Sequence, residues 1–214
     1  MNKPTVEIIE EEKYISQIID ELRKEYGVKR KGDTYMDEEM LRKKYAEYVN
    51  GEFELAGVFN GDELMGYVSY KTTDVGLLVK SILVFQNHRG GRVGTYLMKH
   101  IEKYAMENGC KQIYFGARRS VNNFYFKLGF TGVCLIQSSK ATKEDLENLM
   151  KKYNIKDYSY SLYEGCNPPV NQIRINAEYI SDQALIDEID NSDLDIGCIL
   201  TFSKKLQYDN NLKP

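Results

Sequence analysis

The sequence predicts an α/β domain with a mostly antiparallel front half, extended at its C-terminal end by a smaller α+β segment. Three observations carry the prediction. Residues 53–60 and 63–72 read as two strands joined by Asn60-Gly61-Asp62, a strong hairpin turn signal. Between Lys80 and Phe130 a strand, a Gly-containing turn, a long helix and a second strand follow one another. Beyond Phe130 the patterns run β-α-β-β-α-β, the order of a split ferredoxin-like unit.

Taken in order, residues 5–10 form a short first strand pattern. Ile15, Ile18, Ile19 and Leu22 then recur at helical spacing up to Gly27. A basic turn, Lys29-Arg30-Lys31-Gly32, leads to a second helix over 37–49 with Met40, Leu41, Tyr45 and Tyr48 inward. After the hairpin, a third strand over 76–85 ends in an apolar run short and β-branched enough to be buried. Next come Gln86-Asn87-His88 and the tight group Arg89-Gly90-Gly91-Arg92-Val93-Gly94-Thr95. Val93, Leu97, Ile101 and Ala105 recur every fourth residue, charged residues take the other faces, and Gly109 stands where a C-cap belongs. Residues 112–116 read as the following buried strand.

A Gly-rich turn between strand and helix has two readings. It can receive phosphate oxygens on the free N–H groups of the helix start, or it can be a plain close connection. The Lys-Ser/Thr pair of a Walker loop is absent, and so are the three glycines of the dinucleotide fingerprint. The segment that favours an anion is Asn123-Phe124-Tyr125-Phe126-Lys127-Leu128-Gly129-Phe130.

Together these two segments resemble the GNAT family of acetyl-CoA-dependent N-acetyltransferases. The first family signature, Arg/Gln-x-x-Gly-x-Gly/Ala after an apolar-Val strand end, stands as Arg89 to Gly94 after Leu83-Val84. The second, Phe-Tyr-x-Lys-Leu-Gly-Phe, is intact from Phe124 to Phe130. The resemblance covers roughly residues 5–137. It implies a splayed sheet with the pantetheine arm in the gap, an acceptor site covered by the first helical pair, and acetyl-CoA as donor with coenzyme A as product. It further implies that the backbone of Leu83 and Val84 serves the thioester and pantetheine. The amides of Gly90, Gly91, Arg92, Val93, Gly94 and Thr95 would hold the pyrophosphate, with Arg89 in support. Lys127 reaches the phosphates, Phe124 and Arg118 complete the cofactor side, and Tyr125 acts as general acid. Three positions depart from the pattern: Arg92 replaces a usual Gly, Lys80 a common Glu and Arg118 a common Asn.

Acyl transfer needs a neutral acceptor nitrogen, a donor for the oxyanion and a proton for the leaving thiolate. With Lys80 in place of Glu no base is evident; Asp74, Glu52, Glu54, Tyr70 and His88 are the candidates. An active transferase acting on a small-molecule or protein amine is expected. The alternative is a GNAT-derived module that senses or regulates by holding acyl-CoA without turnover.

Past Phe130, residues 131–137 read as a strand. Thr142 opens a helix in a near-capping pattern, and Leu146, Leu149 and Met150 form its apolar face. A strand over 157–163 should put Tyr158, Tyr160 and Leu162 on one side. A break at Cys166-Asn167-Pro168-Pro169 precedes a strand over 172–177, a helix over 181–189 and a strand over 196–204. Either this is a second domain over 138–206 beside a core over 1–137, or residues 131–137 and a later strand finish the first sheet. The tail, 207–214, reads as frayed. The extension could lid the acceptor site, form a homodimer or bind an effector.

Composition narrows the partners. From Thr131 onward 9 basic face 13 acidic side chains, about −4 of the net −3, leaving about +1 for the first 130 residues. A near-neutral half suits a polyanionic ligand better than nucleic acid, for which no basic face stands out. No apolar run approaches the ~20 residues of a membrane helix, and Met1 to Thr5 lack the apolar core of a secretion signal. Cys110, Cys134, Cys166 and Cys198 are scattered without a CxxC pair, so reduced thiols, no metal and a cytoplasmic protein are expected.

Overall fold

The computed structural model describes residues 3–28 and 35–207, and the basic turn after Val28 lies outside them. The chain forms two units, Met1–Tyr114 with Lys205–Pro214, and Phe115–Lys204. In the first, β1 (Thr5–Ile8), β2 (Glu54–Asn60), β3 (Glu63–Thr73), β4 (Gly76–Val84) and the start of β5 (Gln112–Ala117) lie side by side in that order. The pairs are antiparallel up to β4, and β4 meets β5 in parallel. Gly61, at φ 62°, supplies the left-handed residue that the β2–β3 hairpin turn requires.

One face of this sheet is covered by α1 (Glu12–Tyr26) and α2 (Glu38–Val49), the other by α3 (Val93–Glu107). Helix α1 buries the expected stripe of Ile15, Ile18, Ile19 and Leu22. Helix α2 is opened by Asp37, whose side chain accepts from the Met40 N–H at 2.8 Å. Its inward face differs from the sequence reading. Met40 is 54% exposed, and the buried positions are Leu41, Lys44 and Tyr48. The turn from Leu41 to Tyr48 passes through Lys44 whatever its polarity, because three- and four-residue steps share a face.

In the second unit a 3-10 turn (Arg119–Val121) and α4 (Asn122–Lys127) precede β6 (Thr131–Ser138), α5 (Lys143–Lys152), β7 (Tyr158–Tyr163) and β8 (Val170–Asn176). A 3-10 turn (Ala177–Ser181), α6 (Gln183–Asn191) and β9 (Gly197–Lys205) complete it. The strand order β9-β6-β8-β7, antiparallel throughout, is the split ferredoxin-like arrangement expected from the element order. Gly116 of β5 lies against the Leu200 carbonyl of β9, 3.6 Å from where a Cβ would stand. Helix α5 starts in a full capping box between Thr142 and Asp145.

Tyr158, Tyr160 and Leu162 share one side of β7 as expected, and Leu162 is 48% exposed on this edge strand, which is paired only with β8 among the described residues. One expectation fails in this unit. Cys134 and Cys198 pair across the β6–β9 ladder, their Cα atoms 6.3 Å apart. Their separation of 64 residues hides the pairing from any reading of local spacing. The cytoplasmic expectation thereby loses its cysteine argument.

Candidate functional site

The Gly-rich turn leaves backbone donors at the start of a helix. After β4 the chain makes a 3-10 turn (Gln86–His88), and two consecutive departures to positive φ follow, Gly90 at 84° and Arg92 at 64°. Arg92 is the N-cap of α3 and offers no side-chain cap. The first backbone amide of the helix to find a carbonyl is Tyr96, which donates to Arg92 at 3.1 Å. The amides of Val93, Gly94 and Thr95 therefore point out of the helix start without a backbone acceptor among the described residues. A Cβ on Gly90 would meet nothing within 4 Å, so the approach is open. Orphan donors, the helix dipole and an open approach fit the pyrophosphate of a coenzyme A thioester. Val93 itself is buried and anchors the helix start against the sheet.

Strand β4 leads into this turn. Its ladder to β5 consists of Leu77 opposite Ile113 and Leu78 opposite Tyr114, while β4 continues to Val84. Leu83 is buried among the α1–α2 side chains. A shallow pocket joins Leu83, Val84, Phe85, Gln86 and Arg89 to Glu21, Lys24 and Glu25 of α1. Arg89 spans it, donating to the Val84 carbonyl at 3.3 Å and pairing with Glu25 at 2.7 Å. Sequence reading missed Gly66. On β3 opposite Val84, its absent Cβ would stand 2.7 Å from the Leu83 carbonyl and 3.1 Å from Val93, so only glycine lets β4 and α3 close up there.

The β3–β4 ladder carries a bulge that the sequence does not announce. Ser69 faces Ser81 and Tyr70 faces Val79, leaving Lys80 as the extra residue of β4. Beside it runs a buried hydroxyl chain on the α1–α2 face. Lys44 donates to the Tyr48 hydroxyl at 3.1 Å, Tyr48 reaches Ser69 at 3.1 Å and Tyr67 at 3.3 Å, and Tyr67 meets Ser81 at 2.8 Å. Burial pushes the Tyr67 hydroxyl well above its ordinary range, so it stays protonated and can only pass a proton along.

The candidate bases do not gather at this face. Glu54 accepts from the Tyr104 hydroxyl, and Tyr70 bonds His100 at 3.0 Å; all four groups belong to the α3 side. Burial and Glu54 raise Tyr70, and Tyr104 is pushed up to about 12 by burial and by its bond to Glu54. Burial holds His100 below the ordinary imidazole value. His88 pairs with Glu63 at 3.3 Å, and Glu52 and Asp74 are exposed.

In the second unit, Tyr125 is 4% exposed and sits among Phe115, Phe130 and Phe202, with ring centroids at 4.6, 6.2 and 5.2 Å. Phe124 is half-buried against Tyr125, and Lys127 is exposed. Arg118 caps the 3-10 turn before α4, and its Nε is buried. Next to it, Arg119 grips both Asp190 oxygens at 3.0 and 2.9 Å, and the Asn122 carbonyl oxygen is buried without a partner. Among the described residues no group of three or more potential metal ligands occurs, and no helix is long and apolar enough to cross a membrane.

Known proteins place this geometry in a family. YitI, an uncharacterised N-acetyltransferase of Bacillus subtilis strain 168, is 30% identical over 95 residues, 41% of this chain and 63% of the relative. The chain thus spans less than two thirds of that relative's length. Solved structures similar to it include Ard1 of Thermoplasma volcanium, with 12% identity and a TM-score of 0.47 over 81% of this chain and 97% of that one. The PaiA N-acetyltransferase of Thermoplasma acidophilum, in complex with coenzyme A, has 13% identity and a TM-score of 0.46 over 80% and 99%. The model of the acetyltransferase (GNAT) family matches residues 15–130, more than half of the chain. Because that span holds the Gly-rich turn that opens α3, the bulged strand β4 and the Phe124–Phe130 motif, this chain belongs to the GNAT family of acetyltransferases.

Proposed function

We propose that the protein transfers an acetyl group from acetyl-CoA to a primary amine by direct attack. One observation carries the reading: the amides of Val93, Gly94 and Thr95 have no backbone acceptor among the described residues, at a helix start preceded by an open Gly90. They suit the negative charge of a pyrophosphate. Arg89 and Arg92 add positive charge, and the stretch Leu83–Val84 beyond the β4–β5 ladder offers backbone groups to a pantetheine arm. Lys127, Phe124 and Arg118 complete the cofactor side in this reading. Bound there, acetyl-CoA supplies an activated carbonyl.

The protein's own part is to hold and to move protons. The acceptor nitrogen must lose a proton as it forms its bond to the carbonyl carbon, and the departing sulfur must gain one. Tyr125, in its aromatic surround, is the group we assign to protonate sulfur. The amine proton passes to solvent water, and the hydroxyl chain Ser81–Tyr67–Tyr48, half-buried at its Ser81 end, is the relay we assign to it. A small-molecule or protein amine is the acceptor in this reading.

The test is thiol release from acetyl-CoA across a panel of amines, with coenzyme A binding followed by calorimetry. Tyr125→Phe should leave cofactor affinity nearly intact and lower turnover by about tenfold or more. Unchanged turnover removes the acid from Tyr125. Tight binding without thiol release for any amine favours an acyl-CoA-binding regulatory module, a reading that Lys80 in the common Glu position already supports.

A further inference from the structure

The α1–α2 face of β3 and β4 carries ammonium groups that the protein does not neutralise. Lys44 is only 8% exposed, yet it donates to a neutral hydroxyl, Tyr48, and forms no ion pair among the described residues. A buried ammonium without a counter-charge is costly unless something supplies one. On the adjoining strands, Lys71 and Lys80 both place their ammonium groups over the Phe53 ring, at 4.7 and 5.9 Å from its centre. They make no carboxylate contact among the described residues either. Lys80 is there because of the β4 bulge, which turns this extra residue onto the same face as Ser81. The hydroxyl chain links Ser81 back to Lys44 through Tyr67 and Tyr48. A ring and two lysines thus lie along one stretch of sheet, and the hydroxyl chain joins them to Lys44 of α2, on the face that also bears the Leu83–Arg89 pocket.

We propose that the amine acceptor carries a carboxylate, held by Lys44, Lys71 and Lys80 beside Phe53, so that the substrate is an amino acid or a similarly acidic amine. The proposal rests on the acetyl-transfer reading for its reaction but not for its site. A purely cationic amine, such as a polyamine, meets repulsion from three ammonium groups. An amine with a carboxylate meets charge-assisted hydrogen bonds instead. Lys80 then serves acceptor selection at the position where the family commonly has Glu.

Thiol release is measured on matched pairs that differ by one carboxylate: L-lysine against cadaverine and L-ornithine against putrescine. In each pair the member with the additional carboxylate should have the higher kcat/KM, by about tenfold or more. In Lys44→Met, which keeps the apolar stem, the ratio within each pair should collapse toward one. In Lys80→Glu, a charge reversal at an exposed position of β4, it should invert. Equal ratios, or preference for the diamines in the unaltered protein, overturn the proposal while leaving acetyl transfer standing. Loss of coenzyme A affinity in Lys80→Glu with an unchanged ratio overturns it too, because the lysines would then serve the cofactor. Should no amine be acetylated, calorimetric titration of L-glutamate into the protein with coenzyme A decides the matter. Saturable binding lost in Lys44→Met supports the carboxylate site, and absence of binding overturns it.

Discussion

At the scale of single residues, Arg92 concentrates the conflict between conformation and function. Its φ of 64° explains why a glycine is expected at this step of the turn. The left-handed region costs an L-residue roughly 1–2 kcal/mol. Glycine would return about 0.5–1 kcal/mol of that through its freedom in the unfolded chain. Arg92→Gly should therefore stabilise the protein by about 0.5–1 kcal/mol, read as a higher urea midpoint at constant slope. A lower midpoint would mean that the guanidinium makes contacts worth more than the strain. His100 gives a second prediction at this scale. Burial, followed by the charge of Lys103, keeps its folded pKa below the ordinary 6.5, so the unfolded chain binds the proton more readily. Its contribution to stability is complete above about pH 6.5 and is lost as pH falls toward the folded value. The thermal midpoint of the unaltered protein should fall more between pH 7 and 5 than that of His100→Gln. Parallel curves would show that His100 gains no proton on unfolding.

At the scale of elements, the local signals that were legible are those carried by short-range chemistry. The stripe of α1, the Asn-Gly-Asp hairpin and the Thr142 cap each involve residues within one or two turns of one another. Thr142→Ala should cost about 1 kcal/mol, because it leaves the Asp145 amide without the hydroxyl acceptor of the capping box. Thermal melts of the variant and of Thr142→Ser, which restores the acceptor, would check this. Features that needed a partner element were not legible. Helical spacing puts Lys44 between Leu41 and Tyr48, but its hydroxyl chain to Tyr67 needs β3, and the Lys80 bulge exists only as a register shift against β3. Gly66 reads as an ordinary strand glycine until Leu83 and Val93 are seen closing on it.

At the scale of the whole molecule, each unit holds an apolar core among the described residues. One joins α1, α2 and β2–β4 around Leu22, Leu41, Tyr67 and Leu83. The other gathers Phe115, Tyr125, Phe130 and Phe202 in the second unit. Phe202, 1% exposed and in ring contact with Phe115, Tyr125 and Phe126, is the largest fully buried side chain of that second core. Phe202→Ala should cost about 3–5 kcal/mol, a large share of a typical total. Native-state hydrogen exchange should show protection falling most within 115–204, and a uniform fall across the chain would contradict a separate core.

The sequence by itself determined the family, the helix and strand order, and the Gly-rich turn that opens α3. Those rest on contiguous motifs whose residues act on their own backbone. Tertiary structure alone decided which side chains stand at the β3–β4 face, that Cys134 meets Cys198, and that Glu54, Tyr70 and His100 belong to the opposite side of the sheet. The physical reason is common to all three. A strand turns alternate side chains to opposite faces, so a one-residue bulge or an unseen pairing partner changes which groups meet, and no local pattern records that choice.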